Sequence, residues 1–314
     1  MTKARHDRKL AAFFTVLAAV GISSSQDTFI KYISGNYPFH EMQTIRCGVS
    51  MLVPLVYVAV TEGLGALAVR NWRLLSLRGF IFALASITFY LTAAAMSLPE
   101  AVALYFTMPL FVALLAGPFL GERVTLPRLL AVLLGFAGVI VMQRPGAGVF
   151  EPAALVGLSG SLFYAIGNML TRPLGGTISA GVMGAYQSLF YFVTAAALAL
   201  WFGPGGHEMT GHPSLVYLSR GWVMPATPDL ALMLGLGVAT GFLYILYSLA
   251  YRLADSSFVA PFEYTAMIWA IGLSFLVFGT LPDRYAVAGI AIIVAAGLFM
   301  LLADRYSRSR VQKA

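Results

Sequence analysis

Charge is scarce in this sequence, and cysteine scarcer. Charged residues make up 11% of the 314, against roughly 25% in an ordinary soluble domain. That shortage excludes a normal water-facing surface. A single cysteine, Cys47, excludes an internal disulfide and a cysteine-built metal site. Its place in an apolar run reads as a buried, inert thiol. No Gly-Lys-Ser or Gly-Lys-Thr occurs, so a phosphate loop for ATP hydrolysis is missing. The histidines are His6, His40, His207 and His212. His207 and His212 stand one residue too far apart for the two-histidine zinc helix, in a Gly/Pro-rich stretch. No metal, no cofactor and no catalytic residue is expected, and the chain does not read as an enzyme.

What is present is apolar sequence in long runs. Hydrophobic residues make up 59%, with a mean hydropathy of +0.82. The runs do not alternate as a membrane β-barrel requires. The fold class expected is an all-α membrane protein. Hydrophobic windows place ten spans: Leu10–Ile33, Glu41–Val60, Leu75–Leu98, Glu100–Leu120, Arg128–Met142, Pro152–Leu170, Ser179–Phe202, Asp229–Tyr251, Ser257–Phe278 and Tyr285–Leu302. A long Gly/Pro/His-rich loop, Gly203–Thr227, separates the seventh from the eighth. The basic start, Lys3 to Lys9, mimics a signal peptide, but the run continues without a convincing cleavage site and reads as a retained first helix.

The net charge of +7 does not point to nucleic acid, because the basic residues cluster between apolar runs. With the N-terminus inside, fifteen of the twenty Lys and Arg fall on cytoplasmic segments, and Arg144, Arg220 and Arg284 fall outside. Lys31 and Arg46 lie within spans. The bias predicts both termini in the cytoplasm of a bacterial cell, with a multi-pass chain in the inner membrane.

The first span carries Gly21-Ile-Ser-Ser-Ser-Gln-Asp-Thr-Phe-Ile-Lys-Tyr-Ile33. An Asp or Lys at membrane depth costs ~2.5–3.5 kcal/mol on insertion scales and is tolerated when it pairs or faces a cavity. Asp27 and Lys31 are four apart, on one helix face, where they can meet. The pair is either a self-neutralising clip or a lining for a solute path. Arg46 can pair with Asp27 or Glu41, or grip a solute carboxylate.

A shift of 141 residues carries Asp27 and Lys31 onto Asn168 and Arg172, and Arg46 onto Gln187. Phe119-Leu-Gly-Glu122 likewise answers Val277-Phe-Gly-Thr280, and Gly138 answers Gly297. Five spans per half is an odd number, so the second half enters from the opposite side. That predicts an inverted repeat over 10–142 and 152–302, a basic cytoplasmic tail at 303–314, and a solute site between the halves.

These pieces resemble a known group. Met108-Pro-Leu-Phe-Val-Ala-Leu-Leu-Ala116, Leu133-Leu-Gly-Phe-Ala-Gly-Val-Ile-Val141, Val259-Ala-Pro-Phe-Glu-Tyr264 and Gly279-Thr-Leu-Pro-Asp283 look like the drug/metabolite transporter superfamily. The chain resembles its ten-helix exporters built from two EamA repeats. The Ser-Ser-Ser-Gln-Asp opening and Ala-Pro-Phe-Glu-Tyr are similar to a branch with S-adenosylmethionine and riboflavin carriers. Two departures stand out: Gly279-Thr280 where the family has Gly-Glu, and the length of Gly203–Thr227.

Glu263, beside Pro261, suits a proton-linked step or an amine ligand, and equally a hydrogen-bonded structural acid. Tyr90, Tyr105, Tyr244, Tyr264 and Trp269 suit a ring-lined cavity, or ordinary packing. Gln26, Asn168 and Gln187 complete the candidate polar lining. Gly237-Val-Ala-Thr-Gly241 has the spacing of a close helix contact. The expected function is a secondary transporter of a small polar or amphipathic metabolite, of amino acid, S-adenosylmethionine or riboflavin type. A membrane enzyme or a non-transporting scaffold is the alternative. The expected partners are a small-molecule solute and membrane lipid, with proton coupling through Glu263 or Asp27, no nucleic acid, and a monomer or homodimer.

Overall fold

A computed structural model describes residues 2–120, 126–143, 151–171, 173–174, 177–253, 259 and 262–311, with side chains except at 2–9, 116–120, 128, 244, 245, 248, 251, 252 and 301–311. Runs of Leu, Ala, Val and Phe leave the backbone to satisfy itself, and the helix does that residue by residue. The helices are α1 Thr2–Ile33, α2 Phe39–Ser50, α3 Leu52–Thr61, α4 Trp72–Ala95, α5 Leu98–Tyr105, α6 Met108–Leu120 and α7 Leu126–Gln143. Then come α8 Ala153–Thr171, α9 Ala180–Phe202, α10 Pro213–Ser219, α11 Thr227–Leu253, α12 Ala266–Phe278 and α13 Arg284–Val311. Six stretches are long and apolar enough to cross a membrane: Leu10–Ile33, Phe39–Thr61, Trp72–Ala95, Leu98–Leu115, Ala153–Thr171 and Ala180–Phe202. Four shorter apolar helices accompany them, Leu129–Gln143, Thr227–Leu243, Ala266–Phe278 and Arg284–Met300.

Two expected spans are broken rather than straight. The second divides at Met51, between α2 and α3, three residues before Pro54. The fourth divides at Phe106 and Thr107, just before Pro109. Proline lacks the N–H that the carbonyl four residues earlier needs, and its ring crowds that turn. The fourth span also starts earlier than expected. Ser97 precedes α5, and its backbone N–H (3.1 Å) and hydroxyl (2.7 Å) both donate to Glu100. The ninth is a helix over Ala266–Phe278, with Val259, Phe262 and Glu263 helical before it, and Pro261 lies outside the described residues. The corner 121–123, with Arg144 and Arg172, lies outside them too.

Helices pair across the chain: α1 with α11, α4 with α8, α2 with α9, α5 with α12 and α7 with α13. Small residues allow the approach, as expected where van der Waals packing drives association. On α8, Gly157 and Gly160 face Thr92 and Thr88, and Gly167 faces the Phe82 ring. On α11, a Cβ at Gly237 would lie 2.6 Å from the Arg46 carbonyl, so the Gly237–Gly241 spacing is a close contact with α2. Between α7 and α13 the approach is mutual. A Cβ on Gly138 would stand 2.9 Å from the Gly289 carbonyl, and one on Gly289 would stand 2.6 Å from the Gly138 carbonyl. Ser161 on α8 donates to the Leu104 carbonyl at 2.7 Å, tying the second half to the broken fourth span. Leu200, Ile268 and Leu276 point outward and are more than two-thirds exposed, as lipid-facing residues would be.

Candidate functional site

The polar stripe of α1 does not face one neighbour. Gln26 and Asp27 are successive, so their side chains point about 100° apart around the helix. Gln26 turns to α11, where its amide donates to the Leu236 carbonyl (3.3 Å) and its oxygen accepts from Thr240 (3.2 Å). Asp27 turns to α4 and accepts from the Tyr90 hydroxyl at 3.2 Å. On α2, Gln43 and Arg46 are three apart and share a face. Arg46 donates through Nε (2.9 Å) and Nη2 to Gln43 Oε1, and through Nη1 to Thr240 at 3.2 Å. Its guanidinium carbon lies 5.5 Å from the centre of the Tyr90 ring and acts electrostatically on Asp27. Gln43 closes the circuit through Ser86 at 3.2 Å.

The result is a nest of Gln26, Asp27, Gln43, Arg46, Tyr90 and Thr240, contributed by α1, α2, α4 and α11. Arg46 is 5% exposed. A buried guanidinium needs acceptors and an opposite charge within reach: Gln43 and Thr240 accept from Arg46, and Asp27 lies within electrostatic range. The cavity beside it, between Arg46, Gln43, Met42 and Tyr217, measures about 10 Å³. That is at the limit of a single water, so no solute fits in this cavity in this conformation.

Lys31 sits one turn further along α1, and its ammonium goes to a helix end rather than to Asp27. It donates to the Ala93 carbonyl and to the Met96 carbonyl at 2.6 Å, where α4 runs out of internal partners. A cation suits the partial negative charge of that end. The Phe278 ring lies 5.9 Å away.

Rings connect the nest to the second half. Phe89 lies 5.2 Å from Tyr90 and 5.1 Å from Tyr105, and Tyr105 lies 5.0 Å from Tyr164. Tyr105 therefore belongs to an aromatic row rather than to the nest. Asn168 reaches across to Met108 Sδ of α6 (3.9 Å), and Gln187 bonds along α9 to the Tyr191 hydroxyl (3.1 Å). Glu263 is close enough to Tyr247 and Tyr264 to act on both, and Tyr247 bonds to Ser23 of α1. These residues make a second polar group, one turn of α1 from the nest. Tyr264 stacks on Phe106 at 4.7 Å, with its hydroxyl against Gly297. That hydroxyl is buried with no hydrogen-bond partner among the described residues. Trp269 is 44% exposed and lies across Gly21, at the rim of a hollow of about 430 Å³ that also reaches Ser25 and Gln26. The side chain of Tyr244 lies outside the described ones.

Sequence reasoning misses Gln43, Ser86 and Thr240. Gln43 carries a readable signal, since a polar residue three before a buried arginine shares its face. Thr240 hides inside the Gly237–Gly241 motif, where packing explains the neighbours. Glu41 is not a partner of Arg46: it accepts from the Val223 backbone N–H at 2.9 Å.

Residues 10–144 match the EamA-like transporter family. Over 290 residues the chain is 26% identical to an S-adenosylmethionine uptake transporter of Rickettsia conorii (strain ATCC VR-613 / Malish 7), covering 92% of this chain and 91% of that protein. It is 30% identical over 234 residues to a riboflavin transporter of Vibrio cholerae, covering 73% of this chain and 71% of that protein. A pseudopaline exporter of Pseudomonas aeruginosa is 24% identical over 290 residues, covering 92% and 94%. A solved crystal structure shares the fold, with a TM-score of 0.63 at 16% identity, covering 96% of this chain and 98% of its own.

Proposed function

The chain belongs to the EamA-like transporter family of small-metabolite membrane transporters, and from that premise we propose that its solute is recognised in the Asp27–Arg46 nest. One observation carries the reading. A carboxylate, a guanidinium and an aromatic face stand together inside the bundle, with the Arg46 guanidinium 5.5 Å from the Tyr90 ring whose hydroxyl holds Asp27. A solute bearing both a carboxylate and a cationic group can replace these internal pairings with its own, ion for ion. S-adenosylmethionine, the solute in one relative's name, has that chemistry, whereas riboflavin carries neither group. The nest therefore favours an amino-acid-headed solute over a neutral planar one.

Ten spans in two inverted five-helix repeats, 10–142 and 152–302, suit the helix pairing. Exchanging the halves turns α1 with α11 into α8 with α4, and leaves α2–α9 and α7–α13 in place. Alternating access then consists of rocking one half against the other around the nest. A bacterial inner membrane with both termini cytoplasmic fits the distribution of Lys and Arg. Asp27 and Glu263 are the two acids placed for proton coupling.

The test is flux into proteoliposomes of labelled S-adenosylmethionine and of riboflavin, with wild type, Asp27→Asn and Glu263→Gln. The expected result is saturable S-adenosylmethionine flux that Asp27→Asn abolishes. Faster riboflavin flux would overturn the solute class. Unchanged flux in both variants would overturn the site.

A further inference from the structure

The segment between α9 and α11 is anchored too well to be a linker. Its short helix α10 begins at His212, whose Nδ1 accepts from the Ser214 backbone N–H at 3.2 Å. Ser214 donates to the Leu91 carbonyl at 2.6 Å, and Arg220 donates to the Gly35 carbonyl at 2.7 Å. His40 Nε2 lies 3.0 Å from the Arg220 carbonyl. Tyr37 donates to Asp229 at 2.7 Å and accepts from the Ala226 backbone N–H at 3.2 Å. These anchors gather at the Ile33 end of α1, opposite the N-terminus. One more reaches the second half, where His212 Nε2 lies 2.6 Å from Glu151.

Under this strap sits Tyr217, 3% exposed, edge-on to Phe39 with ring centres 5.9 Å apart. It is the only residue of the segment lining the small cavity beside Arg46. Burial pushes its phenol above the usual range, as the Asp229 hydrogen bond does for Tyr37, so both stay protonated donors. Before α10 the chain passes through Gly205, Gly206 and Gly211, at φ of +79°, +84° and +98°. Glycine alone takes such backbone without strain, and it is a natural place for a turn to reopen.

We propose that Gly203–Thr227 is the gate of the solute site on the face opposite the termini, turning on Gly205, Gly206 and Gly211 and carrying Tyr217 off the nest. Its polar anchors are single hydrogen bonds, mostly to backbone, so each breaks and re-forms independently; the apolar contact that opening gives up is that of Tyr217 with Phe39 and its neighbours. His212 and Glu151 tie the gate to the start of α8, so displacement of the second half pulls on it directly. The gate serves the transport reading, but its motion is measurable without any solute.

Met233, 1% exposed, lines the cavity beneath Tyr217. In a Cys47→Ser background, Met233→Cys reports opening through its labelling rate with a membrane-impermeant maleimide added on the gate side. Cutting two anchors with Tyr37→Phe and His212→Ala is expected to raise that rate about twenty-five-fold, at roughly a factor of five per hydrogen bond lost. A thermal melt within a few degrees of the parent shows that the fold persists. Equal labelling rates would overturn the gate. In a second arm, Gly35→Cys and Arg220→Cys are bridged by a short bis-maleimide in proteoliposomes. Loss of most solute flux is expected, and undiminished flux from the bridged protein would overturn the proposal. If the unbridged parent moved no solute at all, the transport reading would fail, while the labelling arm would still decide the gate.

Discussion

Asp27 and Arg46 provide a stability test that separates a coupled pair from two independent polar residues. Asp27→Asn leaves the guanidinium with Gln43 and Thr240 but without its carboxylate. Arg46→Met leaves the carboxylate, among the described residues, with the Tyr90 hydroxyl, and strips the cation from Gln43. Removing one of two buried opposite charges that act on each other costs up to about 3–5 kcal/mol, mostly as the penalty of the charge left behind. The double variant leaves no formal charge in the nest. Its remaining costs are hydrogen bonds to Gln43 and Thr240, at about 1 kcal/mol each. The sum of the single variants should therefore exceed the double by about 3 kcal/mol or more. Unfolding of the purified protein in mixed micelles by rising SDS, followed by circular dichroism, measures all four species. Additivity within about 0.5 kcal/mol would refute the coupling. Flux should fail in all three variants, because the double restores stability but not recognition.

Lys31→Met removes the donor to the Ala93 and Met96 carbonyls, and should cost about 1–3 kcal/mol in the same unfolding assay. Lys31→Arg should recover part of that loss, and an equal loss in both would argue against capping. Tyr264→Phe removes a hydroxyl with no partner among the described residues and should leave stability within about 0.5 kcal/mol. A loss above about 1 kcal/mol would reveal a partner. Gly289→Val should overpack the contact with Gly138 and destabilise by about 1–3 kcal/mol, seen as a lower melting temperature. A melting temperature equal to the parent's would mean that α7 and α13 separate freely.

The α1 stripe is legible in the sequence because three serines, a glutamine, an aspartate, a threonine and a lysine in an apolar span have few explanations. Their destinations are not. Asp27 and Lys31 share a face, and a four-residue spacing reads as a pair, yet Lys31 finds the bare carbonyls of α4, about sixty residues on. Spacing along one helix cannot report where another helix ends. Arg46 reads as a partner for Asp27 or Glu41. The structure gives Glu41 to the gate and gives Arg46 the neighbouring Gln43. The breaks before Pro54 and Pro109 escape a hydropathy window because it averages across proline without registering the missing donor. In the long loop, Ser214-Leu-Val-Tyr-Leu-Ser219 is too short for such a window, so α10 is invisible to it. Asn168 and Gln187 match Asp27 and Arg46 in position but bond to Met108 on α6 and to Tyr191 on their own helix, not to each other. Among the described residues, the ionic groups gather at Asp27 and Arg46.

The meeting of α7 and α13 at Gly138 and Gly289 has a mechanical consequence. Where helices touch through interdigitated side chains, sliding one past the other forces rotamers to change, and each change is a small barrier. Here the two glycines bring the backbones within reach of each other's carbonyls, with Ile292 and Ile293 flanking one and Met142 flanking the other. At the glycines themselves there is no side chain to interlock. The junction resists being pulled apart, because dispersion contacts are close, and its resistance to sliding comes from the flanking Ile and Met side chains. Any residue larger than glycine at either position would add friction as well as bulk.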